Sequence, residues 1–189
     1  MSFRFKFPCA VALLSFAGPV RAGLIDFEAF APFQNINGLD LGGVTITNPT
    51  TPGVVVYDDA FHVGYHSATK AISAPDFMEI TPKLVATFDA PKDFVRLWAG
   101  LTLGTVEGWW MEAFDAQVGG NSLGRMQSGS WDGPPYRSLE ISAPDIWRVE
   151  FGLGPSVASG VGFDDLEFTP EPAAIAMLLP LLTMLRWRK

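Results

Sequence analysis

Acidic side chains stand close together near both ends of the central part of this 189-residue chain. Asp26 and Glu28 lie in the segment LIDFE, and Asp164 and Asp165 lie in GFDDLEF, just before Glu167. If both segments are strands and lie side by side in the fold, these carboxylates come together. Calcium takes about six to eight oxygen ligands, largely carboxylates and backbone carbonyls. We therefore predict a structural Ca²⁺ site formed by Asp26, Glu28, Asp164 and Asp165.

Alternation along the last of these segments sharpens the prediction. In an extended strand Asp164 shares a face with Leu166 and Phe168, whereas Asp165 points with Phe163. At least one aspartate therefore faces inward, where an unpaired carboxylate is costly, and a metal ion would remove that cost. The alternative is that one aspartate caps a turn while the other acidic residues are solvated charges on a strand edge.

Aromatic side chains in a glycine- and proline-rich loop suggest a second kind of site. Trp131, Asp132 and Tyr136 lie in the sequence SGSWDGPPY, in which large rings are hard to bury. A flat ring packs against the apolar face of a sugar, while a neighbouring carboxylate accepts hydrogen bonds from the sugar hydroxyls. We predict that these three residues bind carbohydrate. The alternative is that Trp131 folds back and plugs the loop.

The other tryptophans are assigned mainly to the hydrophobic core. Trp98 and Trp147 are predicted to be buried. Trp109 and Trp110 are adjacent, so in a strand one of them faces away from the core.

Residues that could catalyse a reaction are few. His62 and His66, in FHVGYHS, allow at most a weak transition-metal pair, because no HExxH pattern accompanies them. Ser122 lies in a GxSxG match, GNSLG, but the pattern predicts a turn between two strands there and no helix, so the match lacks the strand-to-helix elbow of a hydrolase. A carboxylate pair for glycoside hydrolysis stays open, since the chain has 20 acidic residues. We predict a non-catalytic protein.

Apolar residues between positions 23 and 169 recur with period two and are interrupted about every ten residues by Gly, Pro, Asn or Asp. This pattern predicts an all-β domain, a single β-sandwich of jelly-roll type. A turn at residues 91–93 is expected to separate two of the strands. The predicted strands are 24–28, 44–47, 54–57, 77–81, 84–88, 94–101, 109–114, 138–142, 147–152 and 161–168.

Residues 1–22 have the form of a secretory signal peptide. Arg4 and Lys6 precede an apolar run, and Ala22 ends a signal-peptidase site before Gly23. Cys9, the only cysteine, would leave with the signal, so the domain is expected to lack disulfides. Residues 23–171 carry seven basic and 20 acidic residues, a net charge of −13, which repels nucleic acid and anionic membrane surfaces.

The last twenty residues form a tail with three parts: a Pro-Glu-Pro motif, an apolar run and a basic end. The motif and the basic end consist of Pro170, Glu171, Pro172, Arg186, Arg188 and Lys189. The thirteen residues between Ala173 and Leu185 would reach about 20 Å as a helix, against about 30 Å for a hydrocarbon core. We predict a short transmembrane helix with its basic end on the cytoplasmic side.

This tail resembles the PEP-CTERM sorting domain of exported bacterial proteins. The resemblance implies that an exosortase, a membrane-embedded processing enzyme, recognises Pro170-Glu171-Pro172 and removes the tail. The chain would then pass from the inner membrane to the cell surface or the extracellular matrix, among exopolysaccharide. The segments LIDFE and GFDDLEF also look like the jelly-roll domains often joined to such tails, and are similar to galactose-binding-like and carbohydrate-binding modules.

Together these features predict a non-catalytic, exported surface or matrix protein that is sorted by its tail and associates with exopolysaccharide. A carbohydrate-binding module with a calcium-stabilised jelly roll is the alternative, and a matrix hydrolase is a third reading. For the tail itself, the alternatives are a permanent membrane anchor and a buried core helix.

Overall fold

A computed structural model describes residues 23–50, 53–58, 66–67, 69–75, 83–101, 105–106, 108–129, 131–132, 136–154 and 161–169. All of them belong to one compact unit formed by residues 22–171. The predicted signal peptide, the predicted strand 77–81 and the predicted sorting tail lie outside the described residues. Within these ranges there is no helix, and so none long and apolar enough to cross a membrane.

Eleven strands make up the described part of the chain. They are β1 (Gly23–Ile25), β2 (Val44–Thr47), β3 (Val55–Asp58), β4 (Lys70–Ser73), β5 (Lys83–Leu101), β6 (Thr105–Val106), β7 (Trp109–Phe114), β8 (Ser122–Gln127), β9 (Trp131–Asp132), β10 (Arg137–Leu153) and β11 (Val161–Phe168).

Nine of these strands form one antiparallel hydrogen-bonded sheet that folds into two layers, because β5 and β10 are long enough to belong to both. The first layer has the order β3-β4-β11-β5-β10. Strand β1 pairs with the C-terminal end of β11. The second layer has the order β2-β5-β10-β7-β8. Strands β6 and β9 pair with each other.

One hydrophobic core joins the two layers. Phe163 of β11 lies 5.7 Å from Trp109 of β7 and 4.9 Å from Phe151 of β10, measured between ring centroids. Phe168 of β11 lies 5.3 Å from Phe88 of β5. Each pair connects a strand of the first layer with a strand segment of the second. The predicted all-β sandwich is therefore confirmed for the described residues.

The turn expected at residues 91–93 is wrong. Strand β5 continues through Pro91 without a break, and β10 joins the strands predicted at 138–142 and 147–152. Register shifts around Ile146, which pairs with Lys92, bend both strands where they pass from one layer to the other. Pro and Asp suit such a corner as well as they suit a turn, so the local pattern could not decide between the two.

Candidate functional site

Two adjacent aspartates on the outer side of the first layer are both buried: Asp164 is 1% and Asp165 is 4% exposed. A β-bulge separates Asp164 from Glu167, and Asp165 has a φ of 44° within it. Because the bulge adds a residue, Phe163 and Leu166 both lie in the core. The strict alternation predicted for this strand is therefore wrong, and neither carboxylate is free on the surface.

The two carboxylates hold the dipeptide His66–Ser67. Asp164 Oδ2 accepts the backbone N–H groups of His66 and Ser67, each at 2.9 Å. Asp165 Oδ1 accepts the Ser67 hydroxyl at 2.7 Å, and Asp165 Oδ2 accepts His66 Nδ1 at 2.5 Å. These four hydrogen bonds fix both the backbone and the imidazole ring of a segment almost 100 residues away in the chain.

The position of Asp164 changes its acidity. Burial raises the pKa of the Asp164 carboxyl to about 6, and the negative charge of Asp165 adds to that rise. Hydrogen bonds from the backbone of Ser67, Asp165 and His66 lower the pKa and so oppose the shift. Hydrogen-bond donors therefore stabilise the carboxylate form of Asp164, while burial and the charge of Asp165 destabilise it.

The imidazole fixed by Asp165 forms part of an aromatic corner, which we define as His66, Trp98 and Tyr136. The His66 ring stacks on the Trp98 ring, with centroids 3.6 Å apart and an interplanar angle of 12°. Tyr136 stands almost perpendicular to His66, at 6.0 Å and 86°. The side chain of His66 is 34% exposed. The corner therefore offers one ring as a floor and another as a wall to a ligand.

Packing below and beside the corner keeps it in place. Tyr136 packs against a small buried cluster of Tyr57 and Ala71, from β3 and β4. Trp98 lies on the outer face of β5 because its neighbours Leu97 and Ala99 point into the core. The prediction that Trp98 is a core residue is wrong, and the alternation of its neighbours was the signal that could have shown this.

The acidic residues near the start of the domain bind a neighbouring segment. Glu28 Oε1 accepts the backbone N–H groups of Thr69 and Lys70, each at 2.8 Å. The Lys70 ammonium donates to the carbonyl oxygens of Glu28 and Phe30, each at 2.7 Å. Asp26 Oδ1 accepts the Glu28 N–H at 3.2 Å. Glu28 thus binds Thr69 and Lys70, which lie shortly after the dipeptide that Asp164 and Asp165 bind.

These hydrogen bonds do not form the predicted calcium site. Among the described residues, no group of three or more His, Cys, Asp or Glu side chains could hold a metal ion. Calcium binding stays a prediction.

The predicted sugar-binding loop is only partly described. Trp131 and Asp132 form β9, which pairs with Thr105 and Val106 of β6. Tyr136, a member of the predicted set, belongs to the aromatic corner. The two adjacent tryptophans behave as predicted, since Trp109 is fully buried and Trp110 faces outward.

Comparisons with known proteins bear on the fold. No family model and no curated protein sequence matches the chain. The K2 cleaved adhesin domain of Lys-gingipain is similar in structure, with a TM-score of 0.55 and 10% identity, over 79% of this chain and 100% of that one. The K1 domain from Porphyromonas gingivalis W83 gives a TM-score of 0.51 and 12% identity, over 78% and 97%. A structure of TmCBM61 with β-1,4-galactotriose is more distant, with a TM-score of 0.44 and 14% identity, over 75% and 100%. The chain therefore shares an all-β sandwich fold with these adhesin domains.

Proposed function

We propose that this chain is an exported, non-catalytic surface or extracellular-matrix protein whose sandwich domain binds polysaccharide at the aromatic corner. The observation that carries the proposal is the fixing of the His66 ring by a buried carboxylate, with a second ring at a right angle to it.

The corner suits a sugar for two physical reasons. An aromatic face packs against the C–H face of a pyranose ring, and polar atoms at its edge bind the hydroxyls. His66 Nδ1 is occupied by Asp165, and Nε2 has no partner among the described residues, which leaves it for a hydroxyl. Because the ring is already fixed, binding a sugar there loses little side-chain entropy.

Export and sorting are supported by the sequence. The signal-peptide pattern of residues 1–22 and the Pro-Glu-Pro tail of residues 170–189 fit passage through the inner membrane and removal of the tail by an exosortase. The similar gingipain domains are called adhesin domains. For this chain, adhesion to a surface polymer is part of the proposal.

Substitution of the corner tests the binding proposal. We expect the double variant His66→Ala/Tyr136→Ala to be retained much more weakly than the unaltered protein in affinity gels that contain exopolysaccharide purified from the producing cells. Met126→Gln, an exposed change on β8, is the control and should be retained like the unaltered protein. Equal retention of all three proteins would show that the corner does not bind the polymer.

The alternative of a calcium-stabilised carbohydrate-binding module has its own test. A calcium ion bound to the folded domain would raise its melting temperature in excess calcium relative to excess chelator. The same melting temperature in both solutions would remove calcium from the proposal and leave the hydrogen bonds of Glu28, Asp164 and Asp165 as the structural role of these carboxylates.

A further inference from the structure

The outer side of the second layer carries a group of aromatic and charged side chains far from the aromatic corner. Strand β7 alternates, so that Trp109, Met111 and Ala113 are buried while Trp110 and Glu112 face outward. Neighbouring strands add charged residues to the same side. We call this surface the tryptophan face; it consists of Lys83, Trp110, Glu112, Arg125 and Glu150.

The Trp110 side chain reaches the neighbouring strand, β10. Its indole Nε1 donates to the carbonyl oxygen of Leu153 on β10, at 3.0 Å. The residue paired with Trp110 on that strand is Gly152, which has no side chain to stand in the way. The guanidinium of Arg125, on β8, lies 4.3 Å from the centre of the indole, and the Arg125 side chain is 50% exposed. A cation and an aromatic plane are thus presented together.

Two carboxylates stand directly opposite each other beside Trp110. Glu112 of β7 and Glu150 of β10 are register partners, an arrangement in which like charges destabilise a sheet. Arg125 lies 3.4 Å from Glu112, and Lys83 lies 2.8 Å from Glu150. Arg148 also approaches Glu150, at 3.4 Å. The three cations therefore offset the repulsion between the two paired carboxylates.

The chemistry of the tryptophan face matches an uncharged polyhydroxyl ligand. Its charges nearly cancel, so it has little attraction for an ion or for a highly charged partner. It still offers carboxylate acceptors and cationic donors beside an indole that Arg125 covers on one face, and such polar groups bind sugar hydroxyls. Glu112 Oε1 accepts no hydrogen bond from the described residues, so it is open to a hydroxyl.

The tryptophan face and the aromatic corner point in opposite directions. Trp98 and Asp164 lie on the outer side of the first layer, whereas Trp110 lies on the outer side of the second. The core contacts between Phe163 and Trp109 lie between the two layers. One stretch of a polymer chain could not lie on both surfaces at once.

The geometry points to a second polysaccharide-binding surface at the tryptophan face, so that a single domain bridges two polysaccharide chains. This inference rests on the proposed function of the aromatic corner and adds cross-linking to it. Two sites on one rigid domain join separate chains without the need for a dimer, and they raise the strength of attachment to a dense polymer network.

The inference is tested by mixing purified, exported protein with exopolysaccharide from the producing cells and measuring turbidity. We expect turbidity to rise and then fall as protein is added. At excess protein each polysaccharide chain is covered by its own protein molecules, so few of them join two chains. The variant Lys83→Gln/Arg125→Gln should need roughly tenfold more protein for the same turbidity, since hydrogen bonds to charged groups are lost. It should still be retained in the affinity gel through the aromatic corner.

Controls separate this inference from the proposed function. Met126→Gln lies next to Arg125 on β8 and should cross-link like the unaltered protein. Light scattering of the protein alone should give a monomer, and a dimer would overturn the inference because it would explain bridging by one site. Unchanged turbidity of Lys83→Gln/Arg125→Gln, or retention without any turbidity of the unaltered protein, would overturn the inference and leave the proposed function standing. Absence of retention of the unaltered protein would overturn both.

Discussion

Asp164 and Asp165 show how two buried acidic residues can hold a distant segment in place. Their oxygens accept hydrogen bonds from His66 and Ser67, so the charge is compensated by donors and not left bare. The fixed His66 ring is what gives the aromatic corner its shape. Removal of either carboxylate would therefore act on binding through the position of His66.

The raised pKa of Asp164 predicts a dependence of stability on pH. Its value of about 6 in the folded domain exceeds the ordinary 3.8, so the folded state favours the protonated form. This group therefore costs stability above pH 6, and the cost disappears as pH falls toward 4. Between pH 7 and pH 5 it should add about 1 kcal/mol to the free energy of unfolding.

The measurement is urea unfolding of the unaltered protein and of Asp164→Asn at pH 7, 6 and 5. We expect the unaltered protein to gain stability relative to the variant as pH falls. The exposed Asp89→Asn is the control and should follow the unaltered protein. A constant difference between the unaltered protein and Asp164→Asn at all three pH values would contradict a shifted pKa.

Two long strands, β5 and β10, shape the domain at the scale of its elements. Each takes part in both layers, and their paired bend turns one sheet into a sandwich. The bulge in β11 acts more locally: it turns both aspartates out of the core while Phe163 and Leu166 stay inside. Irregular positions in the strands thus set the layers and the site.

Contacts between the layers predict where the core is most sensitive. Phe163 is fully buried and touches Trp109 and Phe151 of the other layer. Phe163→Ala should lower the free energy of unfolding by about 3–5 kcal/mol, because it leaves a cavity that the sheets cannot close. Phe33→Ala, at a side chain that is 57% exposed, should cost about 1 kcal/mol or less. Chemical denaturation checks both values, and similar losses for the two variants would contradict this core.

The whole molecule is predicted to change by processing at both ends. Intact mass of protein recovered from native cells, separated into membrane and medium fractions, measures this directly. We expect a species that starts at Gly23 and ends near Pro170-Glu171-Pro172, in the medium or at the cell surface. A species that still ends in Lys189 and stays in the inner membrane would mean that the tail is a permanent anchor.

The sequence by itself determined the all-β class, because period-two alternation is a local property of each strand. It also predicted the bounds of β2, β7 and β11, and that one of the adjacent residues Trp109 and Trp110 is buried while the other faces outward. It pointed to Asp164, Asp165 and Tyr136 as residues of interest.

Only the tertiary structure decided what those residues meet. Whether Pro91 ends a strand or lies within one depends on the partner strand β10, which is distant in sequence. The pairing of Asp164 and Asp165 with His66–Ser67, and the stacking of His66 on Trp98, likewise join parts of the chain that no local pattern relates. Local preference fixes which face a side chain takes, while long-range packing fixes which side chains come together.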